Sequence, residues 1–168
     1  MRRFGIVLVL ATLGGCAPTT VRMDATRLQA TPPPGQRLAC PYRLGALTDA
    51  RPANGSAGSV GGKAFELPDA MAVVRHQLEA AGLETDGQGR PVDIRLMQLY
   101  LSQNTITLVP VVVYEATVAG RPPVVIRGQP TSMNDWGSAN EAMGAYAAAL
   151  RSANTKLVTA LNMACAGG

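Results

Sequence analysis

The sequence predicts an α+β fold: a mainly antiparallel four-stranded sheet with two helices packed on one face, in the order β-α-β-β-β-α. Three observations carry this. Two segments, near residues 67–82 and 138–164, space their apolar residues by three and four, the period of a helix with one buried stripe. Three segments between residues 92 and 129 are rich in β-branched residues, alternate, and are joined by short connections, the pattern of an antiparallel meander. Two helices and one such sheet bury their apolar faces most economically when both helices lie on the same side.

The elements follow in chain order. Arg37–Leu47 mixes apolar and polar residues as a strand does, and Pro41 places it at an edge or a bulge. Thr48–Lys63 is dense in Gly, Asn, Ser and Pro and is expected to be a mobile loop. Asp69 follows Pro68 and caps a helix whose stripe is Leu67, Met71, Val74, Leu78 and Ala81. Gly82 supplies the left-handed residue that ends it, and Leu83 folds back on the last turn. Asp86–Pro91 is a turn. In Val92–Gln103 the alternation Val92, Ile94, Leu96 slips at Leu96–Met97, which predicts a bulge, with Asp93 and Arg95 on a solvated face.

Thr105–Val118 is a strand interrupted by Pro110, which lacks a ladder donor and argues against a central position. After the Ala119–Pro123 turn, Pro123–Gln129 begins the last strand of the group. Ser138 and Glu141 form a capping box for one helix of about 25 residues. Its stripe is Ala139, Met143, Tyr146, Leu150, Asn154 (or Ala153), Leu157, Leu161 and Ala164. Gly144, Ala145, Ala147 and Ala148 would let it approach the sheet closely. Glu141, Arg151 and Lys156 exclude a membrane span.

The N-terminus has a different character. Arg2 and Arg3 precede an uncharged, mostly apolar run from Phe4 to Leu13, long enough for a signal peptide but about half of what spans a bilayer. Leu13-Gly14-Gly15-Cys16 closes the run and resembles the lipobox of bacterial lipoproteins. That resemblance implies that the leader is residues 1–15 and that Cys16 becomes the first residue of the mature chain, carrying a diacylglycerol and an N-acyl chain. Several acyl chains on one residue give stable anchoring where a single chain does not. Ala17, rather than Asp, follows the cysteine, which by the same resemblance points to the outer membrane with the domain facing the periplasm. Residues 16–36 are rich in Thr, Pro and Ala and are expected to be a flexible tether, leaving residues 37–168 as one domain.

The net charge of +4 comes from the N-terminal segments. From Leu38 onward ten basic residues balance ten acidic ones, so no basic face for nucleic acid is expected. Cys40 and Cys165 lie at opposite ends of the domain. An oxidising compartment favours a bridge between them, with two buried free thiols as the alternative. Two cysteines and the single His76 make no convincing metal site.

No motif names a reaction. Gly62-Lys63 is followed by Ala64, and Pro68 separates the glycines from the helix, so a phosphate loop is excluded. Ala57-Gly58-Ser59-Val60-Gly61 is a degenerate nucleophile elbow, but it has loop residues on both sides and only His76, off the helix stripe, as a base. The acids Asp49, Glu66, Asp93 and Glu115 are scattered singly. If Thr105–Val118 were an edge it would offer backbone pairing to a partner, through Val109, Pro110, Val111 and Val113. Trp136 is a second candidate contact, with a cap over the sheet's end as the alternative.

The lipobox, the run YRLGALTDARP with Asp49-Ala-Arg51, the glycine-bearing loop after it, the helix ending LEAAGLET and the strand VDIRLMQLYL together resemble small outer-membrane lipoproteins of the YajG type. The resemblance implies location and fold more than mechanism. The expectation is a non-catalytic, lipid-anchored accessory, assembly or transport-auxiliary factor. It has no cofactor beyond its acyl chains, and its partners are the bilayer and an envelope protein, or further copies of itself. A periplasmic small-ligand or lipid carrier is the alternative, and an envelope hydrolase a weaker one.

Overall fold

The computed structural model describes residues 19–29, 37–52, 55–103, 107–130, 133–134 and 139–166. It is an α+β arrangement of three helices and two sheets. The elements are β1 (Thr19–Arg22), α1 (Ala25–Gln29), β2 (Tyr42–Asp49), β3 (Ser56–Val60), β4 (Lys63–Glu66), α2 (Ala70–Ala80), β5 (Arg90–Gln103), β6 (Thr107–Val118), β7 (Val124–Gly128), β8 (Met133–Asn134) and α3 (Ala139–Ala166).

The larger sheet runs β2-β5-β6-β7, with β8 also pairing β6. Its β5-β6-β7 part is the antiparallel meander the alternation predicts, while β2, reached through α2, lies parallel to β5 at the sheet's edge. The register of β5 against β6 shifts between Leu96 and Gln98, where the apolar phase slips. Val92, Ile94 and Leu96 before the shift, and Leu99 and Leu101 after it, are all buried. The extra residue lets one strand keep its apolar side inward across the slip.

A second bulge, in β2 between Leu44 and Leu47, gives Asp93 a role beyond solvation. The Asp93 carboxylate accepts a hydrogen bond from the Ala46 backbone N–H at 2.7 Å. A side chain at Gly45 would collide with that carboxylate, so glycine there makes room for the contact.

Two segments differ from their sequence-based expectation. Thr48–Lys63 is no loop throughout: it contains the end of β2 and all of β3. Val60 pairs with Lys63 across Gly61-Gly62, a two-residue hairpin with φ of 55° and 74° at its central residues. Positive φ at both positions is what a type I′ turn demands, and Gly-Gly meets it without strain. Residues 19–29 are not a tether. Strand β1 pairs in parallel with β4, giving a small sheet in the order β1-β4-β3, and Met23 and Leu28 enter the core. Four-residue strands hold too little alternation to stand out in a Thr-rich context, and β1 acquires its partner only through the β4 fold-back.

Helix α2 ends as its sequence predicts. Gly82 has a φ of 99°, its N–H donates to the Glu79 carbonyl, the Leu83 N–H reaches the Leu78 carbonyl at 3.0 Å, and Leu83 is fully buried. Asp69 occupies the N-cap position without a side-chain cap hydrogen bond. The stripe carries one unexpected member, Gln77, which is 4% exposed. Its Nε2 donates to the Leu28 carbonyl of α1 at 3.1 Å, and its Oε1 accepts from Asn154 Nδ2 of α3 at 2.9 Å. One buried amide therefore ties all three helices.

Helix α3 has 28 residues, about 42 Å of axis. Its closest approach to the sheet is at Ala149 and Ala153, both fully buried; of the small residues expected there, Ala145 is buried, Ala147 and Ala148 are half-buried and Gly144 is exposed. A Cβ built on Gly128 of β7 would overlap the Ala149 carbonyl and the Ala153 side chain. At the other end of this contact the Tyr146 hydroxyl donates to the Ala57 carbonyl of β3, joining the small sheet to the helix. Among the described residues no helix is long and apolar enough to cross a membrane.

Candidate functional site

Strand β6 is interior, which overturns its assignment as a partner-binding edge. It pairs with β5 along its length and with β7 and β8 on its other side. Pro110, Val111 and Val113 are buried and Val109 is half-buried, so these four residues belong to the packing of the domain. Pro110 lies opposite Leu101, and on its other side it falls between the residues paired with β7 (112–116) and those paired with β8 (107–108). The missing N–H therefore sits where the outer ladder is already interrupted, the arrangement that lets proline occupy a central strand. Cys16 and Trp136 lie outside the described residues.

Asp49 and Arg51 close the end of β2. Arg51 Nη2 meets Asp49 Oδ2 at 2.6 Å and Arg51 Nε meets Oδ1 at 2.9 Å, a two-point contact with the guanidinium nearly fully buried. Nη1 donates to the Ser56 carbonyl at 2.8 Å and Nη2 also approaches the Leu67 carbonyl. The Arg51 hydrogen bond holds the Asp49 carboxyl below its usual 3.8, against the opposing pull of partial burial. A cleft of 270 Å³ lies beside this pair, lined by Arg51, Ser56, Gly58, Gln98 and Tyr100 among others. The guanidinium fork is largely spent on Asp49 and two carbonyls, so the cluster clamps the start of β3 and the β4–α2 junction to β2 rather than presenting an anion site.

Ser59 lies inside strand β3, and His76 is exposed on α2. No strained strand-to-helix turn presents that serine, so the elbow geometry of a hydrolase is missing at this position. Among the described residues no three His, Cys, Asp or Glu side chains converge as a metal site would require. Burial raises the Tyr114 and Tyr146 hydroxyls well above the ordinary phenol value, so both stay protonated.

An apolar concavity lies at the β6–β7 hairpin against the C-terminal half of α3. It is a groove of 220 Å³ walled by Val118, Val124, Ile126, Leu157, Ala160 and Leu161, with Arg121 and Pro122 at the hairpin itself. Val124 is 48% exposed at its wall. Val125 beside it is 67% exposed but alternates to the opposite face of the sheet, across from Glu115, and Met163 on α3 is 69% exposed outside the groove lining. The sequence showed only Val124-Val125 after a turn. The groove needs a hairpin and a helix some forty residues apart in the chain, which no local pattern records.

The same end of α3 is fixed covalently. Cys40 and Cys165 form a disulfide with their Cα atoms 6.2 Å apart. Around it, Asn162 accepts from the Ala39 N–H at 2.8 Å and donates to the Arg37 carbonyl at 3.0 Å, and the Tyr42 hydroxyl donates to the Leu161 carbonyl at 3.2 Å. The groove therefore has one wall whose position is held by a bridge, three polar contacts and the packed face of α3.

No family model and no curated protein matches the sequence. Among solved structures, that of protein XCC0632 from Xanthomonas campestris, of the DUF330 family, superposes with a TM-score of 0.45 at 12% identity, covering 89% of this chain and 98% of that chain.

Proposed function

We propose that this protein is a lipid-anchored envelope lipoprotein, similar to the YajG type, that works without catalysis as an accessory, assembly or transport-auxiliary factor. In this reading Cys16 holds it at the outer membrane, the domain faces the periplasm, and a protein partner docks at the groove between the β6–β7 hairpin and α3. The observation that carries the reading is Leu13-Gly14-Gly15-Cys16 in register behind a positive start and a short apolar run. The Cys40–Cys165 bridge supports it, since structural disulfides persist in oxidising compartments such as the periplasm.

The apolar lining of the groove also favours a second reading, carriage of a small apolar ligand. Its volume weighs against that. Small-molecule sites occupy roughly 300–1,000 Å³, and 220 Å³ suits one or two inserted side chains better than a lipid.

Photocrosslinkers at Val124 and Ala164, which line the groove, in cells making the full chain, test the docking assignment against a control at exposed His76. The expected result is one envelope protein captured from both groove positions and lost when Ala160→Glu fills the groove with charge. Capture from His76 alone, or capture indifferent to Ala160→Glu, would refute it. Capture of a second copy of the chain would replace the partner by self-association, and a retained lipid in a native mass spectrum would favour the carrier.

A further inference from the structure

Lipidation at Cys16 would attach the acyl chains only three residues before Thr19, the first residue of β1. Three Cα–Cα steps of 3.8 Å reach at most about 11 Å. A headgroup layer is roughly 5–8 Å deep, taken as half the difference between the whole bilayer and its hydrocarbon core. Thr19 therefore stays within about one headgroup layer and its first water of the anchor.

What Thr19 belongs to is not free to drift. It pairs with Lys63, and its N–H donates to the Gly62 carbonyl at 3.0 Å. The register continues through Arg22 opposite Glu66, and the Met23 N–H donates to the Glu66 carbonyl at 2.8 Å. Leu28 is buried, and its carbonyl accepts from Gln77. The anchor thus leads straight into packed structure, and whatever lies beside Thr19 is carried to the membrane with it.

The neighbour is the tip of the β3–β4 hairpin. Gly61, Gly62 and Lys63 are exposed, and a Cβ on either glycine would meet nothing within 4 Å. The tip is slim and unobstructed, with a cation at its base and Arg22 exposed further along the same sheet. Anionic headgroups attract such residues close to the surface.

We propose that the mature lipoprotein rests on its own bilayer through the Val60–Lys63 hairpin tip, the headgroup layer being the partner of this surface. The proposal builds on the lipoprotein reading and adds an orientation. Tyr146, which bonds to β3, and Leu161, which lines the groove, are fifteen residues apart on α3, or roughly 22 Å along its axis. The small sheet then faces the membrane while the apolar groove points away from it.

The test uses the full chain purified from membranes, with Cys40–Cys165 oxidised, in vesicles of phosphatidylethanolamine and phosphatidylglycerol carrying a headgroup nitroxide. A fluorophore is placed at Lys63→Cys or, for comparison, at Val125→Cys. The expected result is several-fold stronger quenching at position 63. An insertion of about ten Gly/Ser residues before Thr19, adding roughly 17 Å of flexible span, should keep the protein on the vesicles and bring the two positions together. Protein that floats with the vesicles but is quenched equally at both positions, or more at position 125, overturns the orientation alone. Protein that does not float overturns the lipoprotein reading, and the orientation with it.

Discussion

Replacing Cys40 and Cys165 together by serine removes a cross-link that closes a loop of 125 residues. In the chain-entropy model the bridge withholds about 2.1 + 1.5R ln 125, or roughly 16.5 cal/mol/K, from the unfolded chain. At ~298 K that is about 4.9 kcal/mol, an upper figure beside the 2–4 kcal/mol typical of such bridges. The native side of the balance changes little. Asn162 still clips Arg37 and Ala39, and Tyr42 still reaches Leu161. The loss should therefore come from the unfolded state, and this leaves a second signature. Urea unfolding of the variant should show a midpoint lower by roughly 2 M, for a slope near 2 kcal/mol/M. The slope itself should rise, because an unlinked chain exposes more surface. A loss below about 1 kcal/mol with an unchanged slope, in a parent verified by mass to hold the bridge, would refute this reasoning.

Gly128→Ala should cost about 1–3 kcal/mol, since its methyl has no room between β7 and the Ala149–Ala153 turn of α3; thermal unfolding reads it. Asp93→Ala and Arg95→Ala should differ although the two residues share one exposed strand face. The first removes the carboxylate that holds the Gly45-Ala46 bulge, at an exposed N–H that water can still reach, and should cost about 0.5–1.5 kcal/mol. The second removes an exposed pair with Glu115 at 2.7 Å and should cost under about 1 kcal/mol by the same urea assay. Asp49 has a folded-state value below 3.8, so it contributes stability that is complete above that value and fades as pH falls through the lowered one. Urea midpoints at about pH 5 and about pH 3 should show that fall, and Asp49→Asn should be less stable at the higher pH with a shallower drop between the two.

Much of the architecture was legible because it is local. Gly82 and Leu83 ended a helix with a periodic stripe, the slip at Leu96–Met97 marked a bulge, and the long period after Ser138 gave α3. What was not legible depends on partners far away in the chain. Pro110 argued for an edge, and nothing nearby reveals that the outer ladder of β6 is broken at its position. Asp93 looked solvated because its acceptor role exists only when β2 bulges at Gly45-Ala46. Asn154 fell on the expected stripe of α3, a polar residue in a buried position, and that was the one local signal for the Leu28–Gln77–Asn154 network, whereas Gln77 lay off the stripe expected for α2. The candidate site was the least legible, since its walls come from a hairpin and the far end of a helix.

The measurement that bears most directly on the account is the mass of the mature protein from its natural membrane. The prediction is a chain starting at Cys16, with a glyceryl lipid on its sulfur and an acyl group on its amine, recovered with the membrane and released to the soluble fraction by Cys16→Ser. A water-soluble product cut at another residue, with the Cys16 thiol unmodified or lost with the leader, would contradict it.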